Sequence, residues 1–208
     1  MDVLSELRRR RALCIVRAPR IPDPVGLASV LVEAGLPIVE FAFTTPDAAR
    51  LIERASTVDG VVMGAGTVLT VTQARDAISA GARFLLTPGL RADVAEEANR
   101  QGVPIVLGAM TPTEVAWAMD AGSTAVKVFP AARLGPTYFK DLLGPYPDAQ
   151  LVATGGINAG NAADYLAAGA IAATAGSGVV SPDLAAESRF AEIRQRATEF
   201  VEAVANPS

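Results

Sequence analysis

The stretch LVATGGINAGNAADYLAAGAIAATAGSG, residues 151–178, contains one complete structural period. An apolar run (Leu151–Gly156) leads through a glycine turn into a segment of helical spacing, which stops at Gly169 before a second apolar run (Ile171–Gly178). Both runs are too short for helices and are bounded by glycine, so they read as buried strands. Two strands joined through a helix run parallel. The same period recurs toward the N-terminus, in Leu13–Ala18, Ile38–Phe43, Val61–Thr67, Phe84–Gly89, Ile105–Met110 and Ala125–Ala131. Successive runs begin 20 to 26 residues apart, which is room for a strand, a loop and a helix each time.

Eight consecutive units of this kind predict an α/β fold, a (β/α)8 TIM barrel spanning residues 1–208 as one domain. No G-x-G-x-x-G follows the first strand, which argues against an open dinucleotide-binding sheet. Gly35, Gly81, Gly102, Gly122 and Gly169 each precede a strand and read as helix stops. Residues 1–12 are expected to form an extra N-terminal helix across the barrel's N-terminal end. After the eighth strand, Ser181 and Pro182 have the form of a helix cap and first turn. Phe190, Ile193, Ala197, Phe200, Val201 and Val204 mark the apolar face of a closing helix.

The composition narrows the chemistry. The 208 residues carry a net charge of −4, and the longest run of like charge is Arg8–Arg11, so no basic stripe is available for nucleic acid. No apolar run is long enough for a membrane span, and the charged N-terminus does not resemble a signal peptide. A cytoplasmic location is expected. The lone cysteine, Cys14, sits in an apolar run as a structural thiol and rules out an intrachain disulfide. Histidine is absent, which removes most zinc hydrolases, Ser-His-Asp and Cys-His catalysts from consideration. No compact acidic cluster suggests a metal.

Of the 18 basic residues only Lys127 and Lys140 are lysine. Lys140 follows Tyr138 and Phe139 on a predicted helix and reads as a surface residue. Lys127 lies in Ala-Val-Lys-Val-Phe-Pro (125–130), where alternation turns Ala125, Lys127 and Phe129 into the barrel. An ammonium in a dry interior either finds a partner or loses its proton, and a neutral amine is a nucleophile. In Ile-Val-Glu-Phe-Ala-Phe-Thr-Thr (38–45) the same alternation turns Glu40, Ala42 and Thr44 inward. Glu40 is therefore the candidate proton donor and acceptor for imine chemistry at Lys127. A plain ion pair between the two would place them just as close. Glycine clusters end four of the strands, at Gly64–Thr67, Thr87–Gly89, Thr154–Gly156 and Gly176–Gly178. Those after strands seven and eight lie where barrels hold phosphate, and Asn158 is placed to cap the helix after strand seven.

Taken together, Ile-Val-Glu (38–40), Gly-Ala-Gly-Thr-Val (64–68), Thr-Pro-Gly (87–89), Met-Thr-Pro-Thr-Glu (110–114), Lys-Val-Phe-Pro-Ala (127–131), Gly-Pro-Tyr-Pro (144–147) and Thr-Gly-Gly-Ile (154–157) form an ordered set. With it the chain resembles the 2-keto-3-deoxy-6-phosphogluconate (KDPG) and 4-hydroxy-2-oxoglutarate (KHG) aldolases over nearly its whole length. The resemblance implies a homotrimer of barrels acting on a small molecule without metal or cofactor, with no nucleic-acid or membrane partner. It implies that Lys127 forms a Schiff base and Glu40 handles protons. It places Thr67, Pro88, Phe129 and Thr154 around the pyruvate moiety, and Gly155, Gly156, Gly176 and Ser177 at the phosphate. The expected activity is cleavage of KDPG to pyruvate and glyceraldehyde 3-phosphate, and also of KHG to pyruvate and glyoxylate. The galactonate isomer of KDPG (KDPGal) is the alternative substrate.

Two positions depart from the pattern. Thr44 stands where some members carry an anion-binding arginine, which leaves Arg17 as the best-placed cation. Ala132 stands where many members have an acidic residue. Two rivals remain open at this level: a phosphosugar isomerase or synthase barrel, and a non-catalytic barrel that binds a phosphorylated acid.

Overall fold

A computed structural model describes residues 2–205. The eight strands are β1 (Ala12–Val16), β2 (Ile38–Ala42), β3 (Val62–Gly66), β4 (Leu85–Leu86), β5 (Ile105–Ala109), β6 (Ala125–Val128), β7 (Leu151–Ala153) and β8 (Ala172–Ala175). They close in sequence order into a parallel barrel, with β8 pairing back onto β1. Each strand is shorter than the apolar run that announced it, because the last residues of each run already belong to the loops at the barrel mouth.

The helical stops follow the glycines. In all five cases the residue after the glycine donates its N–H back to a carbonyl five residues earlier, as in Leu36 to Leu31 and Ser123 to Ala118. This closing bond requires a left-handed residue just before it, and glycine takes that conformation without a Cβ penalty. The helix Pro112–Asp120 is fixed at its other end by a capping box between Thr111 and Glu114.

Two apolar cores result. The larger lies between the barrel wall and the outer helices and takes the outward residues of the strands, such as Cys14, Val39, Phe41, Val126 and Val128. The smaller fills the barrel's N-terminal end. There Leu13, Ile38, Val62, Leu86, Val106, Ala125, Val152 and Ala172 meet Val3 and Leu7 of the N-terminal helix Val3–Arg10. That helix is held by Asp2, whose carboxylate accepts from the amides of Leu4 and Ser5, and it stops the barrel from below.

The closing segment consists of two helices. Ser181 caps a short helix, Pro182–Ala186, and a second helix, Phe190–Ala205, carries Ile193, Ala197, Phe200 and Val204 into the core. The chain turns between them at Ser188, with φ of 53°.

Candidate active site

Strand alternation fixes the site. Two residues beyond each member of the lower core, the next inward positions are Ile15, Glu40, Gly64, Pro88, Gly108, Lys127, Thr154 and Thr174. The four polar side chains of this ring are all buried. Above the ring opens a cavity of about 450 Å³ at the C-terminal end of the barrel, lined by Lys127, Thr154 and Thr174 among others.

Lys127 is 5% exposed, and its Nζ stands 5.7 Å from the centre of the Phe129 ring at the mouth. Burial pushes its amine below the ordinary lysine range. Arg17 pushes the same way and Glu40 opposes them. Glu40 is fully buried, and burial raises its carboxyl against the opposing pull of Lys127 and Arg17. Neither carboxylate oxygen of Glu40 has a hydrogen-bond partner among the described residues. The two groups therefore share the interior without forming the plain ion pair. A buried polar group left without a partner costs about 1 to 3 kcal/mol, which is tolerated where a ligand completes the set.

The glycines of β3 make room for this arrangement. A Cβ at Gly66 would lie 2.2 Å from Glu40 Oε1, and one at Gly64 would lie 2.3 Å from the Phe84 ring. The Gly-Ala-Gly motif therefore seats two side chains from neighbouring strands, a use that spacing alone does not reveal.

On one flank of Lys127 the cavity is lined by Arg17, Thr44, Thr67 and Pro88. Arg17 leaves the end of β1, passes the end of β2 and donates from Nη2 to Thr67 Oγ1 at 3.1 Å. Its guanidinium thus reaches from β1 past β2, whose following loop carries Thr44. Thr67 holds a left-handed backbone, φ 54°, a costly conformation for a β-branched residue. Pro88 is pinned from behind by Thr87, whose hydroxyl accepts from Gly108 N at 3.2 Å and donates to Gly89 O at 2.6 Å.

On the other flank lie Phe129, Gly155, Gly156, Gly176 and Ser177, with Ile157, Val180 and Pro182 as apolar walls. Gly155 and Gly156 have φ of 92° and 75°, and the Phe129 ring packs so close that a Cβ on Gly155 would lie 2.9 Å from it. The amides of Gly155, Gly156, Gly176 and Ser177 donate to no backbone carbonyl among the described residues. Four free N–H groups from two adjacent loops suit an anion. Asn158 is not the cap expected of it. Its Oδ1 accepts from Gly160 N in a local turn, and the helix Ala162–Ala167 begins only after Asn161.

All twelve residues singled out from the sequence thus surround one cavity or, for Glu40, lie beneath it. Sequence reasoning missed the apolar walls Ile157, Val180 and Pro182 and, within the ring, Ile15 and Thr174. Alternation from Leu13 and from Ala172 would have found both.

Comparison with known proteins identifies the family. The family model for KDPG and KHG aldolase matches residues 3–196. A 2-dehydro-3-deoxy-phosphogluconate aldolase of Treponema pallidum is 37% identical over 93% of each chain. A probable 2-dehydro-3-deoxy-6-phosphogalactonate aldolase of Rhizobium meliloti is 33% identical over 90% of this chain and 88% of its own. Among solved structures, KDPG aldolase from Legionella pneumophila, with pyruvate captured at low pH as a covalent carbinolamine, superposes with a TM-score of 0.87 at 25% identity, over 95% of this chain and 97% of that one. The chain is therefore an aldehyde-lyase and belongs to the KDPG and KHG aldolase family.

Proposed function

We propose that neutral Lys127 attacks the C2 carbonyl of KDPG, and that the resulting iminium draws the electrons of the C3–C4 bond as it breaks. Attack gives a carbinolamine, and loss of water from it gives the iminium. Glu40, directly or through a water, supplies the proton for that water. It then takes one from the C4 hydroxyl as the bond cleaves to glyceraldehyde 3-phosphate and an enamine. Protonation at C3 and hydrolysis release pyruvate and restore the amine. The observation that carries this reading is a buried lysine facing the cavity beside a carboxylate that does not bond to it. The carbinolamine captured in the Legionella pneumophila relative supports it.

In this scheme Arg17, Thr44, Thr67 and Pro88 receive the 2-oxo acid's carboxylate end, with Arg17 supplying from β1 the cation that position 44 lacks. Thr154 and Phe129 flank the reacting carbons, and the free amides of Gly155, Gly156, Gly176 and Ser177 hold the phosphate. The alternative substrate, KDPGal, differs from KDPG in configuration at C4, and relatives bear both names. KHG is a second substrate in the same scheme.

Phosphorylated acids do not cross membranes unaided, which places the enzyme in the cytoplasm with its metabolites. In this reading the barrel is one domain and assembles as a homotrimer. Exposed apolar side chains, Trp117 at 59% and Met110 at 44%, support an assembly.

Borohydride added with pyruvate should leave a reduced adduct on the Lys127 peptide, and Lys127→Arg should leave none. An adduct on Lys140, or activity retained by Lys127→Arg, would overturn the mechanism in favour of an isomerase-type barrel. Pyruvate release from KDPG, KDPGal and KHG then ranks the substrates.

A further inference from the structure

The ring at the level of Lys127 contains four polar side chains, and the mechanism and pyruvate pocket use only Glu40, Lys127 and Thr154. The fourth, Thr174, is 2% exposed and lines the cavity. Strands β7 and β8 pair Val152 with Ala172 and Ala153 with Ala173. Continuing that register by one residue sets Thr154 directly beside Thr174, both turned inward on neighbouring strands about 4.8 Å apart. Facing threonines on adjacent strands commonly bond to each other. Here the Thr154 hydroxyl is buried without any partner, so this pair does not. No hydrogen bond engages the Thr174 hydroxyl among the described residues either.

The strand order gives the pair its direction. Lys127 is on β6, Thr154 follows on β7, Thr174 follows on β8, and Gly176 with Ser177 lies just beyond. A chain tethered through C2 to Lys127, with its phosphate on the glycine amides, passes Thr154 and then Thr174. Resting on the aldolase reading above, we infer that Thr174 is a specificity-determining residue: its hydroxyl bonds the C5 hydroxyl of the sugar acid while Thr154 meets the C4 hydroxyl. Two unpartnered hydroxyls on the cavity wall favour a polyhydroxylated aldehyde half over a plain one, because a ligand lacking those groups leaves the wall unsatisfied.

The test compares Thr174→Val, which keeps the shape and removes the hydroxyl, with Thr174→Ser, which keeps the hydroxyl. Two rates are measured for each: kcat/KM for whichever C4 epimer the unmodified enzyme prefers, and borohydride capture of pyruvate, which has no distal half. Thr174→Val should lower cleavage relative to capture by about tenfold, and Thr174→Ser should restore most of that ratio. Equal loss on both measures, or no loss, overturns the inference while capture at Lys127 leaves the aldolase reading standing. If the unmodified enzyme captures no pyruvate at Lys127, that reading falls and the inference falls with it.

Discussion

The Lys127 amine is subject to three influences whose signs are separable. Burial and Arg17 hold its amine below the ordinary lysine range, and Glu40 pulls it back up. Attack needs the free amine, so pyruvate capture declines as pH falls through the titration of Lys127. Replacing Arg17 with methionine removes a cation and should move that decline to higher pH. Glu40→Gln removes an anion and should move it to lower pH. Capture rate against pH checks both shifts, since the position of the limb is read independently of its height. The same depressed titration affects stability. Between the folded and unfolded values the unfolded chain binds the extra proton, so stability rises with pH across that window and is lowest below it. Lys127→Met should accordingly flatten that rise of the urea midpoint with pH, while abolishing activity.

At the scale of the element, the glycines divide into two kinds that substitution separates. Gly102 ends a helix with φ of 68° and open space around it, so Gly102→Ala should cost about 1 kcal/mol of stability through its backbone alone and leave kcat/KM unchanged. Gly66 has Glu40 in the place of its side chain, so Gly66→Ala should reduce cleavage at least tenfold by displacing the carboxylate, with a smaller effect on melting. The first kind is legible in sequence, since a glycine before each strand repeats with the period. The second is not, because it depends on which side chain crosses from the neighbouring strand. The inward set containing Lys127, Glu40 and Arg17 was equally legible, as polar residues interrupting apolar runs. Thr174 sits among alanines (172–175), where the contrast that reveals alternation is weak. Asn158 is no cap because its side chain closes a local turn on Gly160, and the residue type alone does not tell that turn from a helix cap.

At the scale of the molecule, the N-terminal helix completes the barrel. Leu7 is 2% exposed within the lower core, and Leu7→Ala should cost about 2 to 5 kcal/mol, read as a lower urea midpoint. Sedimentation should give three times the chain mass, and Trp117→Glu should lower it if that face joins copies of the chain. The plug also sets an order of traffic. With the lower end shut, the proposed mechanism holds pyruvate covalently at the bottom of a well whose mouth is occupied by the aldehyde. The aldehyde must leave first, and in the synthetic direction it must enter last. Pyruvate should thus compete with substrate for the free enzyme in product-inhibition kinetics, whereas the aldehyde should not.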